Sequence, residues 1–398
     1  MSKIINISKN VYWLGENDRR THLFENYWPL EKGVSYNSYL INDNKTALID
    51  TIEISKADVF LEKIKKILNN KPLDYLVINH MEPDHSGAIK TISRNFPNVK
   101  IIGNKNTLKI FEGFFGETRN FQTINDGDEI GLGNHKLKFY MTPMLHWPET
   151  MMTYELNNKI LFSGDAFGSF GTLDGGIFDD ELNLDFYYEE IRRYYSNIVA
   201  KYANPVQKAL QKLKNLDIKI IASTHGPVWR SNINEIVNYY DKWSKYETEK
   251  GVVIVFGSMY GNTEQMAEII AHKLCEEGIK NIRIYDVSKT HISFILNDIW
   301  KYKGLILGSP AYNGNIFPPM EHLISKLQNT GLKNHLLGIF GSYCWGGGGV
   351  KALNNYVEKS EMELVADPVE AKCSPKDNEI EYCENIAVNM AKILKECF

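Results

Sequence analysis

The sequence predicts two domains of unlike architecture. Residues 1–250 read as an αββα sandwich of the α+β class, and residues 251–398 as a doubly wound α/β domain with a parallel sheet. Three observations lead there. The chain has 398 residues, where one domain takes roughly 150. In the first part strand-like segments follow one another directly, as in hairpins. In the second part strands and helices alternate, which implies crossover connections and hence a parallel sheet.

Composition bounds the function. Lys plus Arg number 45 and Asp plus Glu 49, a formal net charge of −4. That balance argues against nucleic acid, which needs a basic face to offset phosphate charge, and against a polybasic membrane-surface protein. With 43% hydrophobic and 24% charged residues, the chain is composed like a folded protein rather than a disordered one. No apolar run approaches the roughly 20 residues that span a bilayer. The start, MSKIINISKN, lacks the apolar stretch of a signal peptide, so a cytoplasmic location is expected. The cysteines Cys275, Cys344, Cys373, Cys383 and Cys397 form no C-x-x-C pair. A rubredoxin-type or zinc-ribbon module is therefore not expected within these residues, and no disulfide framework is expected, in keeping with a reducing compartment.

The elements follow in order. Strands are expected at 11–14, 35–41 and 46–50, a helix at 56–69, and a strand at 74–79. A helix near 87–95 and a strand at 100–103 come next, then strands at 135–141, 150–156 and 159–164. Residues 232–250 read as a polar helix studded with aromatics. Gly251 then opens VVIVF, a pure strand, which runs through GSMYGNT into an amphipathic helix; the boundary is placed at Lys250–Gly251 on that β-loop-α unit. Beyond it, strands at 281–287, 304–309 and 335–342 alternate with helices at 291–299, 318–328 and 350–359, and a final helix closes the chain. Pro318 suits a helix start, where a missing N–H costs little.

Chemistry concentrates after the strand at 74–79. There the chain reads His80-Met81-Glu82-Pro83-Asp84-His85-Ser86-Gly87. Four ligand-type side chains in six positions cannot all be satisfied by a protein core, because burying unpaired carboxylates is strongly unfavourable. Pro83 argues against regular structure, so the segment is expected to be a turn that splays its ligands toward one point. His146 in MLHWPE, Asp165 in FSGDAFG and His225 in STHGPVW repeat one arrangement: a lone ligand-type residue after an apolar strand, at or near Gly or Pro. One such histidine is more often a core or turn residue. Four such segments together make a metal site the better reading.

Three loops carry the second domain's chemistry, each at the C-terminal end of a strand, where ligands of such sheets bind. Ser258-Met259-Tyr260-Gly261-Asn262-Thr263 offers hydroxyls, an amide and backbone N–H groups at a helix N-terminus, an anion cradle. It lacks the Lys of a P-loop and the G-x-G-x-x-G of a dinucleotide fold. Ser309-Pro310-Ala311-Tyr312-Asn313-Gly314 and Ser342-Tyr343-Cys344-Trp345-Gly346-Gly347 place aromatics beside glycines, which suits a flat ring that backbone approaches closely.

The first pattern resembles the metallo-β-lactamase superfamily, whose motif is H-x-H-x-D-H followed by His, Asp and His at later strand ends. Here the second position is Glu82. Its harder oxygen ligand shifts the preference from zinc toward iron or manganese. The three later loops resemble flavodoxin, with FMN phosphate on the first and the isoalloxazine between the other two. The acidic stretch common near flavodoxin's flavin is absent from the third loop. Together the two halves are similar to the flavodiiron proteins over the whole chain. The resemblance implies FMN and two iron ions, with His80, Glu82 and His146 on one iron, Asp84, His85 and His225 on the other, and Asp165 as bridge. Some members leave the histidine equivalent to His85 unbound.

It implies further an oxidoreductase that takes dioxygen to water or nitric oxide to nitrous oxide, as a head-to-tail homodimer or a dimer of dimers. Reduced flavin and two ferrous irons together hold the four electrons that one dioxygen needs. With no C-x-x-C pair, the electron donor is expected to be external: rubredoxin, a flavin reductase or a reduced deazaflavin. Trp147 and Tyr195 are candidate walls or hydrogen-bond donors at the iron site. Family members often carry a His in the stretch equivalent to Leu23-Phe24-Glu25, and Glu25 here leaves the choice of gas open. Two rival readings are a dizinc hydrolase with an accessory flavodoxin-like domain, and a flavodoxin electron carrier with a vestigial partner domain.

Overall fold

The computed structural model describes residues 4–116, 118–360 and 362–398. The chain divides into two compact units, Met1–Asp241 and Lys242–Phe398. The division thus falls upstream of Lys250–Gly251, inside the helix Ile233–Ser244. The reason is local. Tyr246 O accepts a bond from Asn334 Nδ2 at 3.1 Å, and Glu249 N donates to Lys301 O at 2.7 Å, so residues before Gly251 already belong to the second unit.

The first unit contains two larger sheets. One orders its strands Ile5–Ser8, Val11–Trp13, Tyr39–Asn42, Thr46–Ile49, Tyr75–Val77, Lys100–Gly103 and Phe121–Thr123. Its first four strands pair antiparallel and the rest parallel. The other runs Glu129–Gly131, Lys136–Met141, Met151–Glu155, Ile160–Gly164 and Ile220–Ser223, antiparallel except for its last, parallel pair. Thr46–Ile49 and Tyr75–Val77 are buried on both faces, as parallel neighbours covered by helices must be. The helix Ala57–Leu68 buries Ala57, Phe60, Ile64 and Leu68, one stripe at helical spacing. Its Lys63 is also buried, with Nζ donating to Gly15 O at 2.7 Å.

In the second unit a parallel sheet runs in the order Ile282–Asp286, Glu249–Phe256, Tyr302–Tyr312 and Leu336–Tyr343. Two short strands, Glu363–Leu364 and Val369–Lys372, both pair parallel with the last of these. This is the doubly wound order 2-1-3-4-5, in which ligands bind where the strand order reverses. Here that point lies between Glu249–Phe256 and Tyr302–Tyr312. The helix Asp377–Cys397 buries Cys383, Ile386, Ala387, Met390, Ala391 and Leu394 in the apolar cluster that also holds Val252, Ile254 and Met266. No helix among the described residues is long and apolar enough to cross a membrane.

Candidate metal centre and flavin cleft

His80 lies three residues beyond the buried strand Tyr75–Val77. The segment after it is not a bare turn: Pro83–Ser86 forms one helical turn with Pro83 at its first position. A first-turn N–H has no intrahelical partner, so a proline fits there, and the residue that argued against a helix starts one. Other groups lock the turn. Thr51 N and Thr51 Oγ1 both donate to His85 O at 2.7 Å, and Ser86 Oγ donates to Met81 O at 2.8 Å. Asp50, held at φ +55°, accepts from Asn79 N at 2.7 Å.

Asp165 directly follows Ile160–Gly164 and His225 follows Ile220–Ser223, and these strands are parallel neighbours. Both residues therefore emerge side by side. Gly226, at φ +70°, fits only as glycine, because a Cβ would stand 2.6 Å from Ser169 Cβ. His146 does not follow its strand directly. Lys136–Met141 ends five residues earlier, and Thr150 shapes the loop between, accepting from Leu145 N at 3.1 Å and donating to Thr142 O at 2.6 Å.

The seven side chains converge in two groups, His80–Glu82–His146–Asp165 and Asp84–His85–His225. Asp165 faces both. Its Oδ2 lies 3.0 Å from His146 Nε2 and 3.5 Å from His80 Nε2. Its Oδ1 lies 2.9 Å from His85 Nε2 and 3.9 Å from His225 Nε2. Glu82 Oε2 stands 3.1 Å from both His80 Nε2 and His146 Nε2, and Asp84 Oδ2 stands 3.1 Å from both His85 Nε2 and His225 Nε2. Yet both Asp84 oxygens, His85 Nε2 and His225 Nε2 are buried and make no hydrogen bond. Buried donors and acceptors are rarely left so. A cation between the carboxylates and the ring nitrogens would satisfy them, so these residues fit a pair of metal ions.

The charges point the same way. Burial opposes a charged His80 and a charged His146, but neighbouring carboxylates outweigh it and lift their pKa values to about 9 and about 10. Burial likewise opposes charge on Asp84 and Asp165, but the histidines hold both carboxyls below their ordinary range.

Sequence reasoning missed Glu149. It is fully buried, its Oε1 2.8 Å from His80 Nδ1 and accepting from Met81 N at 2.9 Å. A carboxylate on Nδ1–H fixes the tautomer that leaves Nε2 free for a metal. Trp147 stands against the cluster, its ring 5.2 Å from that of His80. Tyr195 packs its ring on Tyr240 at 5.1 Å, while Tyr194 lies 5.6 Å from His225. The helix Asp185–Tyr194 passes here into a π-helical turn, Tyr195–Val199, and it is Tyr194 that this backbone aims at the cluster. Its buried hydroxyl makes no hydrogen bond. Burial, then the charges of Asp165, Asp84 and Glu82, push its pKa well above the usual value. Glu25 sits at the solvent edge of the site, at φ +51°. It accepts from Trp28 Nε1 at 3.0 Å, and burial of its carboxyl, then repulsion from Glu82, lift its pKa to about 7.

In the second unit the three loops bound one cleft of about 240 Å³, lined by residues of Ser258–Thr263, Pro310–Gly314 and Ser342–Gly346. Of the expected set, Gly261, Ser309, Tyr312 and Gly347 do not line it. They build the loops instead. Gly261 N donates to Ser258 Oγ at 3.0 Å, and Ser309 Oγ accepts from Phe317 N at 3.1 Å. Tyr312 packs its ring on Phe317 at 6.0 Å. Gly347 faces Glu370, whose carboxylate would touch a Cβ there at 3.4 Å. An acidic group thus reaches the third loop from the neighbouring strand Val369–Lys372. Thr263 Oγ1 and Ser342 Oγ, 2.9 Å apart, tie the first loop to the third. Tyr260 and Trp345 are 92% and 95% exposed at the cleft. Rings left in water beside a polar helix N-terminus fit a flat anionic ligand such as FMN.

Residues 34–226 match the family model described as ODP family beta lactamase, and residues 254–386 the model described as Flavodoxin. The anaerobic nitric oxide reductase flavorubredoxin of Escherichia coli O1:K1 / APEC is 32% identical over 97% of this chain and 81% of its own length. Rubredoxin oxygen:oxidoreductase from Desulfovibrio gigas superposes with a TM-score of 0.95 at 29% identity, covering 99% of each chain. The flavodiiron protein of Giardia intestinalis does so at 0.94 and 25% identity, over 100% of this chain and 98% of its own.

Proposed function

The chain belongs to the flavodiiron protein family, and we propose on that footing that it is an oxidoreductase reducing dioxygen to water, nitric oxide to nitrous oxide, or both. One observation carries the reading: seven ligand-type side chains from four separate segments meet in two groups, with one oxygen of Asp165 facing each. His80, Glu82 and His146 would hold one iron and Asp84, His85 and His225 the other, with Asp165 bridging. When bound, the two irons would supply sites for the gas and FMN would supply electrons in pairs.

The chain's own residues do the rest. Glu149 orients His80. Trp147 and Tyr194 wall the site with aromatic surface, which limits water around the reacting gas. Ser258, Asn262 and Thr263 would hold the phosphate of FMN, and the loops at Pro310–Gly314 and Ser342–Gly346 would flank its ring. Electrons come from an external carrier, a rubredoxin, a flavin reductase or a reduced deazaflavin. The working unit is a head-to-tail homodimer or a dimer of dimers in the cytoplasm, one subunit's flavin serving the partner's irons. The dizinc hydrolase reading is disfavoured: Glu82 makes the site richer in oxygen, and hydrolysis gives a flavin cleft no task.

Iron, zinc and FMN content of the purified protein, with dioxygen and nitric oxide consumption under one donor, tests the reading. Two irons and one FMN per chain, with consumption of either gas, are expected. Two zincs, or no flavin, would overturn it.

A further inference from the structure

The function above leaves one pair of side chains unused. The strands Leu336–Tyr343 and Val369–Lys372 run parallel, with Tyr343 paired to Lys372. The next residue on each is a cysteine. Cys373 N donates to Tyr343 O at 2.7 Å, so the backbone pairing continues to Cys373 itself. Cys373 stands at φ +64°, a left-handed turn at the strand end. Both cysteines are free and exposed, and Cys344 lines the flavin cleft.

We propose that Cys344 and Cys373 form a thiol–disulfide site at the lip of the flavin cleft, oxidised by a small hydroperoxide and reset by a small dithiol. Two features of the chain carry it: strand register puts the residues side by side, and both cysteines are open to solvent. A hydrogen bond with Cys373 that raises the Cys344 thiol above its ordinary range agrees with that placement. Either thiol can attack as the thiolate, and the other resolves it.

The chemistry balances. The thiolate of one of the two cysteines attacks hydrogen peroxide. An S–O bond forms, the O–O bond breaks, and one water leaves after proton uptake, giving a sulfenic acid. The other cysteine then attacks that sulfur. The S–S bond forms, the S–O bond breaks, and a second water leaves. Two thiols have lost two electrons and the peroxide has gained them. A small dithiol reverses the link by exchange. The link would staple the third flavin loop, and Trp345 with it, to the end of the neighbouring strand.

The test uses the whole purified holoprotein and hydrogen peroxide at one equivalent. Peptide mapping is expected to show a crosslink between the peptides of Cys344 and Cys373, lighter by two hydrogen atoms and reversed by dithiothreitol. Titratable thiols should fall by two from the five cysteines of the chain. The Cys373→Ser variant should form no link to Cys344. Release of FMN into excess apoflavodoxin should be slower from the oxidised wild type than from the reduced, and unchanged by peroxide in Cys373→Ser. A protein that keeps all five thiols, or that links Cys275 or Cys397 as readily, would overturn the proposal. So would an FMN release rate indifferent to the link. None of these readouts involves gas reduction, so the proposal stands or falls apart from the diiron reading.

Discussion

Replacing Glu149 should loosen a metal that Glu149 never touches. Its Oε1 serves two donors at once, His80 Nδ1 at 2.8 Å and Met81 N at 2.9 Å, with no solvent beside it. In Glu149→Gln the carbonyl oxygen can keep both contacts, but the charge is gone. A hydrogen bond to a charged group is worth about 1.5–3 kcal/mol net and a neutral one about 0.5–1.5. The glutamine should therefore weaken the hold on His80 by about 1–1.5 kcal/mol, roughly tenfold in affinity. Glu149→Ala strands two buried donors, at about 1–3 kcal/mol each. Part of that falls on folding, and metal affinity should drop by roughly a hundredfold. Anaerobic competition for iron(II) against a chelator of known affinity measures both, with FMN content as a control on the other unit. Wild-type affinity in both variants, or a larger loss in Gln than in Ala, would refute the argument.

Three more outcomes are expected. His146→Ala or Asp165→Ala should abolish gas reduction and leave the flavin absorption spectrum intact; unchanged turnover in either would dispose of the assigned site. Asp43 tests a pH dependence far from the metals. Burial opposes its charge, but bonds from the His135 ring and N–H, Asn44 N and Asn134 Nδ2 outweigh it and hold its carboxyl well below the usual range. Its folded pKa is thus below the unfolded one, so its stabilisation is present above about pH 4 and fades as acid protonates it. Urea midpoints between pH 6 and pH 3 should fall more steeply in wild type than in Asp43→Asn, and parallel slopes would count against it. Gly308→Ala puts a Cβ 2.1 Å from the buried ring of Phe340 and should cost about 1–3 kcal/mol. Thermal melts should show it as an early transition of the second unit with iron content unchanged, and a wild-type melt would mean the ring yields.

Where the sequence announced the site, it did so by contrast. Asp165 and His225 stand out because each ends an apolar run that has no other use for a charged or ring-nitrogen side chain. The same contrast marked the alternation after residue 250 and the three loops at strand ends. Glu149 carried no such mark. It is close to His146 in sequence, but its partner His80 lies 69 residues upstream, and only the folded sheets join them. Tyr194 and Tyr195 are indistinguishable in RRYYSN until the π-helical turn fixes which ring faces inward. Pro83 was read by its prohibition rather than by its tolerated place in a first turn. The helices Lys105–Phe115, Asp185–Tyr194 and Ala203–Leu213 went unassigned. In the second of these the inward face carries Glu190 and Arg193, a buried ion pair at 2.6 Å that reads as surface in one dimension. Glu370 was hidden in the same way, because a short edge strand brings it to a loop more than twenty residues earlier.

Among the described residues, Trp345 is the one tryptophan that stands open to solvent. An indole in water emits at longer wavelength than one packed in a core, and flavins absorb in the blue, where such emission extends. Red-edge excitation therefore singles out the indole at the cleft. A flavin arriving beside it should quench its fluorescence and one departing should restore it. The protein thus contains its own optical gauge of cofactor occupancy, readable without label and without any gas in the cuvette.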